Sequence, residues 1–228
     1  MSEMRWEESA VRLASWGGVV GPIVFVVLVI AGGILTGGYS HVTQKISELG
    51  ATGAQYALLQ NLNFVVLGVS VIGFAWALAR VLGGPVHGPL LIGIFGVVVF
   101  LHSFLSCDTG CRGETTAGLL HNITGLVGFV AAIAGTIVLA RQWRDDPDWR
   151  AHVTFTWSAA LVAIVGLALF VFTQARDVQS FAGIAQRVFA GALLLWIAVT
   201  AARLIGVAAG SENGTPRTQH RDALTRSG

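Results

Sequence analysis

The chain has 228 residues, of which 54% are hydrophobic and 11% charged, and its mean hydropathy is +0.71. Soluble domains carry about a quarter charged residues, so a water-soluble globule is excluded and an integral membrane protein is expected. A net charge of +2 with no aromatic-interleaved basic face excludes nucleic acid as a partner.

A helix needs about twenty mostly apolar residues to cross a bilayer. Six runs qualify, roughly at 17–37, 56–82, 88–106, 118–140, 153–174 and 183–207. They are continuous rather than alternating, which predicts helices and excludes a barrel. The expected fold is therefore all-α, an integral membrane bundle of six transmembrane helices. Residues 1–16 are expected as an amphipathic lead-in with Trp6 and Trp16 at headgroup level, and 208–228 as a disordered polar tail. Between them, 17–207 form the membrane domain.

The basic residues orient it. Arg5, Arg12, Arg80, Arg141, Arg144, Arg150, Arg203, Arg217, Arg221 and Arg226 fall on one side, against Lys45, Arg112, Arg176 and Arg187 on the other. By the positive-inside rule both termini are cytoplasmic, and segments 39–55 and 107–117 are outer loops. The membrane implied is a prokaryotic cytoplasmic one, crossed several times.

In chain order, the first run lacks ionisable residues and reads as a lipid-facing anchor. The connector 39–55 is long for a helix–helix link, and ISELGATGA within it predicts a short helix, capped near Thr43 or Ser47, folded over the bundle mouth. The second run opens with Gln60, Asn61 and Asn63, and the third closes with His102, Ser103 and Ser106. Cys107 and Cys111 then frame an acidic turn, for which a disulfide is expected on the outer, oxidising side. The fourth run opens with His121, Asn122 and Thr124. Its exit loop, RQWRDDPDWRAH, reads as a solvated cytoplasmic turn with Trp143 and Trp149 at the interface. The sixth run opens with Gln186 and Arg187. Asn61 precedes Arg80, and Asn122 precedes Arg141, by the same 19 positions, a pattern that three successive hairpins would produce.

His102, His121, Asn61 and Arg187 all fall near the outer ends of their runs, whose inner halves are almost free of polar side chains. That distribution predicts an outward-facing pocket rather than a channel. A guanidinium within a span costs about 2.5–3.5 kcal/mol unless it is paired, so Arg187 is expected to meet Asp108 or Glu48. The candidate catalytic set is Glu48, Asp108, His121 and Arg187, with either carboxylate as general base, His121 as proton shuttle and Arg187 on an anionic group. Candidate ligand-binding residues are Ser47, Asn61, His102, Ser106, Asn122 and Gln186. No cofactor is assigned; His102, His121, Asp108 and Glu48 offer nitrogen and oxygen ligands that could hold zinc, and no HExxH-type spacing supports it.

ISELGATGA (Ile46–Ala54), CDTGC (Cys107–Cys111), LLHN (Leu119–Asn122) and AQR (Ala185–Arg187), taken in that order, resemble the prokaryotic membrane family Domain of Unknown Function 998. The resemblance runs from about Gly17 to Gly206 and implies that Ser47, Glu48, Asp108, His121 and Arg187 belong to a shared outer-face pattern. It assigns them no reaction. The expected function is binding or processing of a membrane lipid headgroup or small amphiphile. A small-molecule transporter, working as an oligomer, and a structural or accessory membrane protein are the alternatives.

Overall fold

The computed structural model describes residues 2–213, and the side chains of residues 7–208. Six α-helices account for most of it: α1 Ser2–Leu35, α2 Ala57–Leu82, α3 His87–His102, α4 Thr116–Gln142, α5 Val153–Ala175 and α6 Ala182–Asn213. There is no strand among the described residues. Five of the helices are long and apolar enough to cross a membrane, and the protein is an all-α, multi-pass membrane protein. Each helix packs on its neighbours in sequence, and α1 also packs on α6, so the six close into a ring.

Glycines let these helices approach closely. A Cβ at Gly68 of α2 would stand 2.6 Å from the backbone nitrogen of Phe100 in α3. One at Gly166 of α5 would stand 2.8 Å from the backbone nitrogen of Phe189 in α6. Small residues at such crossings allow backbone packing that lipid cannot match.

Three elements differ from expectation. The first helix is continuous from Ser2, so no break separates a lead-in from the first apolar run. The third is shorter than the predicted 88–106: α3 has 16 residues, about 24 Å at 1.5 Å per residue. It ends because the chain tightens after His102, where the backbone and hydroxyl of Ser103 both donate to the Phe100 carbonyl, at 3.1 and 2.6 Å. The polar tail expected over 208–228 begins inside α6, which runs to Asn213; positions 214–228 lie outside the described residues.

The arginine-bearing end is closed by aromatic rings. Trp143 and Trp149, expected at the interface, are instead 1% and 0% exposed. They stack at 4.5 Å between centroids, and Trp143 lies 6.3 Å from Trp196 of α6. The turn between α4 and α5 folds under the bundle because Arg203 lies over the Trp149 ring and donates to the Asp148 carbonyl. Hydropathy could not distinguish a tryptophan floating at the interface from one folded inward.

Candidate functional site

The opposite end of the ring is built from three short segments. The connector between α1 and α2 holds a 3-10 turn, Ile46–Gly50, that buries Ile46, Ser47, Leu49 and Gly50 against the bundle. The expected short helix is present as this 3-10 turn, and its cap is Lys45, two residues from both Thr43 and Ser47. Glu48 stabilises that start, accepting from the Lys45 backbone N–H at 2.9 Å and from the Gln44 side-chain amide at 3.2 Å. The second segment is the acidic turn, in which Cys107 and Cys111 are joined as a disulfide. The third is the Gln179–Phe181 turn before α6.

The acidic turn is held by Asp108. Its carboxylate accepts from the backbone N–H groups of Gly113 and Thr115 at 3.1 and 3.0 Å. The Thr115 N–H is the largest influence holding the carboxyl below its ordinary pKa; burial opposes it, and other N–H groups of the turn assist. Thr115 in turn caps α4, accepting from the Gly118 N–H at 3.0 Å. The disulfide turn and the first turn of α4 are thus one hydrogen-bonded unit. A further bond, from Thr52 N–H to the Cys107 carbonyl at 2.9 Å, joins it to the connector.

Lys45 ties the connector to the disulfide turn and to α5. It is the only lysine of the chain, and it is 4% exposed. Its ammonium donates to the Cys111 carbonyl at 3.1 Å and to Gln174 Oε1 at 2.9 Å. The Cys111 carbonyl also accepts from the Asn122 amide at 3.2 Å, so the disulfide turn presents one oxygen to two donors. Burial is the largest influence on the Lys45 pKa and lowers it; Glu48 pulls it back up. Lys45 escaped the sequence reading, where it counted only as an outer charge. Its uniqueness among the 14 basic residues was the available signal.

Arg187 meets no carboxylate among the described residues. One terminal nitrogen donates to the carbonyls of Gln44 and Gly183 at 2.8 and 2.9 Å, and the other to Tyr39 Oη at 2.6 Å, with His41 Nδ1 at 3.0 Å. Tyr39 Oη passes the bond on to the Lys45 carbonyl at 2.9 Å. The expected Asp108 or Glu48 partner is replaced by carbonyl oxygens and a phenol, whose dipoles together satisfy the guanidinium. His41 has its pKa lowered first by desolvation and then by Arg187, which suits a neutral acceptor.

His102 and His121 meet as expected, stacked at 4.0 Å between centroids. His121 Nδ1 lies 2.6 Å from the Leu105 carbonyl, which makes Nδ1 the protonated nitrogen and Nε2 an acceptor. His102 Nε2 lies 3.2 Å from the Thr124 hydroxyl, which itself donates to the Leu120 carbonyl. Asn61 donates to Ser106 Oγ at 3.5 Å, to one side of this pair. No group of three His, Cys, Asp or Glu that could hold a metal occurs among the described residues. The four zinc candidates are not assembled, since Asp108 and Glu48 are committed to their own turns.

Beneath these segments lies a cavity of about 640 Å³. Its polar lining includes Lys45, Ser47, His102, His121, Asn122, Gln174 and Gln186. Gln186 Oε1 accepts the Ile46 N–H at 2.6 Å, which turns its amide NH₂ away from that contact. Arg112, Glu114 and Asp177 stand on the lining too, and the apolar walls come from Phe25 of α1, Phe64 of α2 and Phe95 of α3 as well as Phe129 of α4, Leu167 and Phe170 of α5, and Phe189 and Leu194 of α6. Of the candidate catalytic residues only His121 lines the cavity; of the candidate binding residues, Ser47, His102, Asn122 and Gln186 do, while Asn61 and Ser106 do not.

No curated protein and no solved structure matches the chain. A family model described as "Protein of unknown function (DUF998)" matches residues 19–203, a stretch that begins within α1, ends within α6 and includes every segment of the site. The chain belongs to this family.

Proposed function

We propose that the protein binds a lipid headgroup or small amphiphile in this cavity, which opens toward the outer leaflet of a prokaryotic cytoplasmic membrane. The observation that carries the reading is the cavity's two-part lining, polar under the connector and apolar between the helices, at a volume typical of small-molecule sites. Orientation rests on the arginines: Arg80, Arg141, Arg144, Arg150 and Arg203 lie at the opposite end, which the positive-inside rule makes cytoplasmic. In this reading the short α3, with the irregular residues that follow it, serves as a sixth crossing, and both termini are cytoplasmic. Binding is favoured over turnover because the two candidate general bases, Glu48 and Asp108, are occupied by backbone N–H groups and neither lines the cavity. It is favoured over transport because the stacked Trp143, Trp149 and Trp196 fill the far end.

Lipid extraction and mass spectrometry of the purified full chain test this. An amphiphile enriched over the surrounding membrane is expected in the wild type. It is expected to disappear in Ala190→Trp, which fills the cavity from α6. Equal lipid profiles for the two proteins, both folded, would overturn the proposal.

A further inference from the structure

We infer that the occupant is a single-chain anionic amphiphile whose carboxylate or phosphate oxygens meet the Lys45 ammonium while its chain lies between α4, α5 and α6. The inference rests on the cavity reading above and adds the sign of the headgroup, the length of the chain and the side from which it comes.

The sign follows from Lys45. An ammonium has three donors, and the two acceptors that Lys45 meets, a backbone carbonyl and an amide oxygen, are both neutral. No carboxylate forms an ion pair with it among the described residues. The carboxylates of Glu48, Asp108 and Asp177 act on the ammonium from a distance without touching it, so a direct counter-charge is left for a ligand to bring, and its remaining N–H belongs to a side chain that lines the cavity. Gln186 supplies a second donor: with its Oε1 held by Ile46, its NH₂ is the group left for a ligand oxygen. The charged groups on the rest of the lining, Arg112, Glu114 and Asp177, are all exposed to solvent and leave the buried position to Lys45.

The length follows from the helices. The lining on α6 runs from Gln186 to Leu194 and on α4 from His121 to Phe129. At 1.5 Å per residue each covers about 12 Å, the span of roughly ten methylenes at about 1.2 Å per bond of extended chain. The side of access follows from exposure. Leu126 of α4 and Val171 of α5 line the cavity and are also 47% and 45% exposed, which makes the wall between α4 and α5 the side of access in this proposal. A ligand with one alkyl chain can slide through such a gap with its headgroup at the level of Lys45.

The test is equilibrium binding of dodecanoate, dodecyl phosphate and dodecyltrimethylammonium to the full chain in phosphatidylcholine nanodiscs, with empty discs as background. At least one anion is expected to bind about tenfold or more tighter than the cation, as a buried charge contact requires. A preference for dodecanoate assigns a free fatty acid, and one for dodecyl phosphate a phosphate monoester. Lys45→Met is expected to erase the preference and Lys45→Arg to retain part of it, while Ala190→Trp removes binding of all three probes. Equal binding of anions and cation by the wild type overturns the inference without recourse to any variant. If Ala190→Trp still removes binding in that case, the amphiphile reading stands and only the anion assignment falls. Binding no greater than to empty discs overturns both.

Discussion

Replacing Arg187 with glutamine separates two roles that the residue could have at the site. Three of its hydrogen bonds reach the connector, at Gln44, Tyr39 and His41, and a fourth closes within α6 on Gly183. A bond to a charged group contributes about 1.5–3 kcal/mol, and relieving a guanidinium from a membrane span returns about 2.5–3.5 kcal/mol. Because the three bonds share one donor group and are not additive, the net loss expected is about 2–4 kcal/mol. For a chain of this size that corresponds to a fall in melting temperature of roughly 5–15 °C. The loss should concentrate in the connector, since Tyr39 Oη links Arg187 to the Lys45 carbonyl. Thermal unfolding in detergent and limited proteolysis across 39–45 are the assays, with Arg187→Lys as an intermediate because an ammonium cannot fork between four acceptors. A glutamine variant that melts within a degree or two of wild type, with unchanged cleavage, would refute the reasoning. Lost ligand binding at unchanged stability would instead place Arg187 on the ligand.

Gly183→Ala should loosen the same contact from the helix side, because the new Cβ would strike the Gln44 carbonyl and lie 2.8 Å from that of His41. Both obstacles are backbone, so a loss of about 1–3 kcal/mol is expected, read as faster cleavage in the connector; a neutral result would contradict the packing of α6 on it. Asp108→Asn should destabilise the disulfide turn and the start of α4 at neutral pH. The carboxyl's pKa is depressed in the folded protein, so its stabilisation is present above the unfolded value of about 3.9 and is lost as pH falls through the folded one. Denaturation measured from pH 6 to pH 2 should therefore show the wild type converging on the asparagine variant in acid, and parallel curves would count against the assignment.

Much of this protein was legible in its residues because the properties concerned are local. Apolar runs, arginine placement and paired cysteines report on the chain's own neighbourhood, and they were enough for an all-α membrane fold, a disulfide turn and the family. The shared depth of His102 and His121 also followed from counting along helices, and the two rings do stack. Partnerships across the ring were a different matter. Charge alone suggested that Arg187 needed a carboxylate, but a carbonyl, a phenol and an imidazole from a connector some 140 positions away meet it, and nothing in residue type foretells that dipoles would take the place of a charge. Asp108 and Glu48 likewise turned inward to their own backbones, where N–H groups stand closer than any arginine. The burial of Lys45 exists only once the connector, the disulfide turn and α5 converge on one ammonium. Composition therefore determined which solvent the chain lives in and which groups are costly there. Tertiary structure decided how each costly group is satisfied, because hydrogen-bond acceptors are recruited by position in space and not by position in the chain.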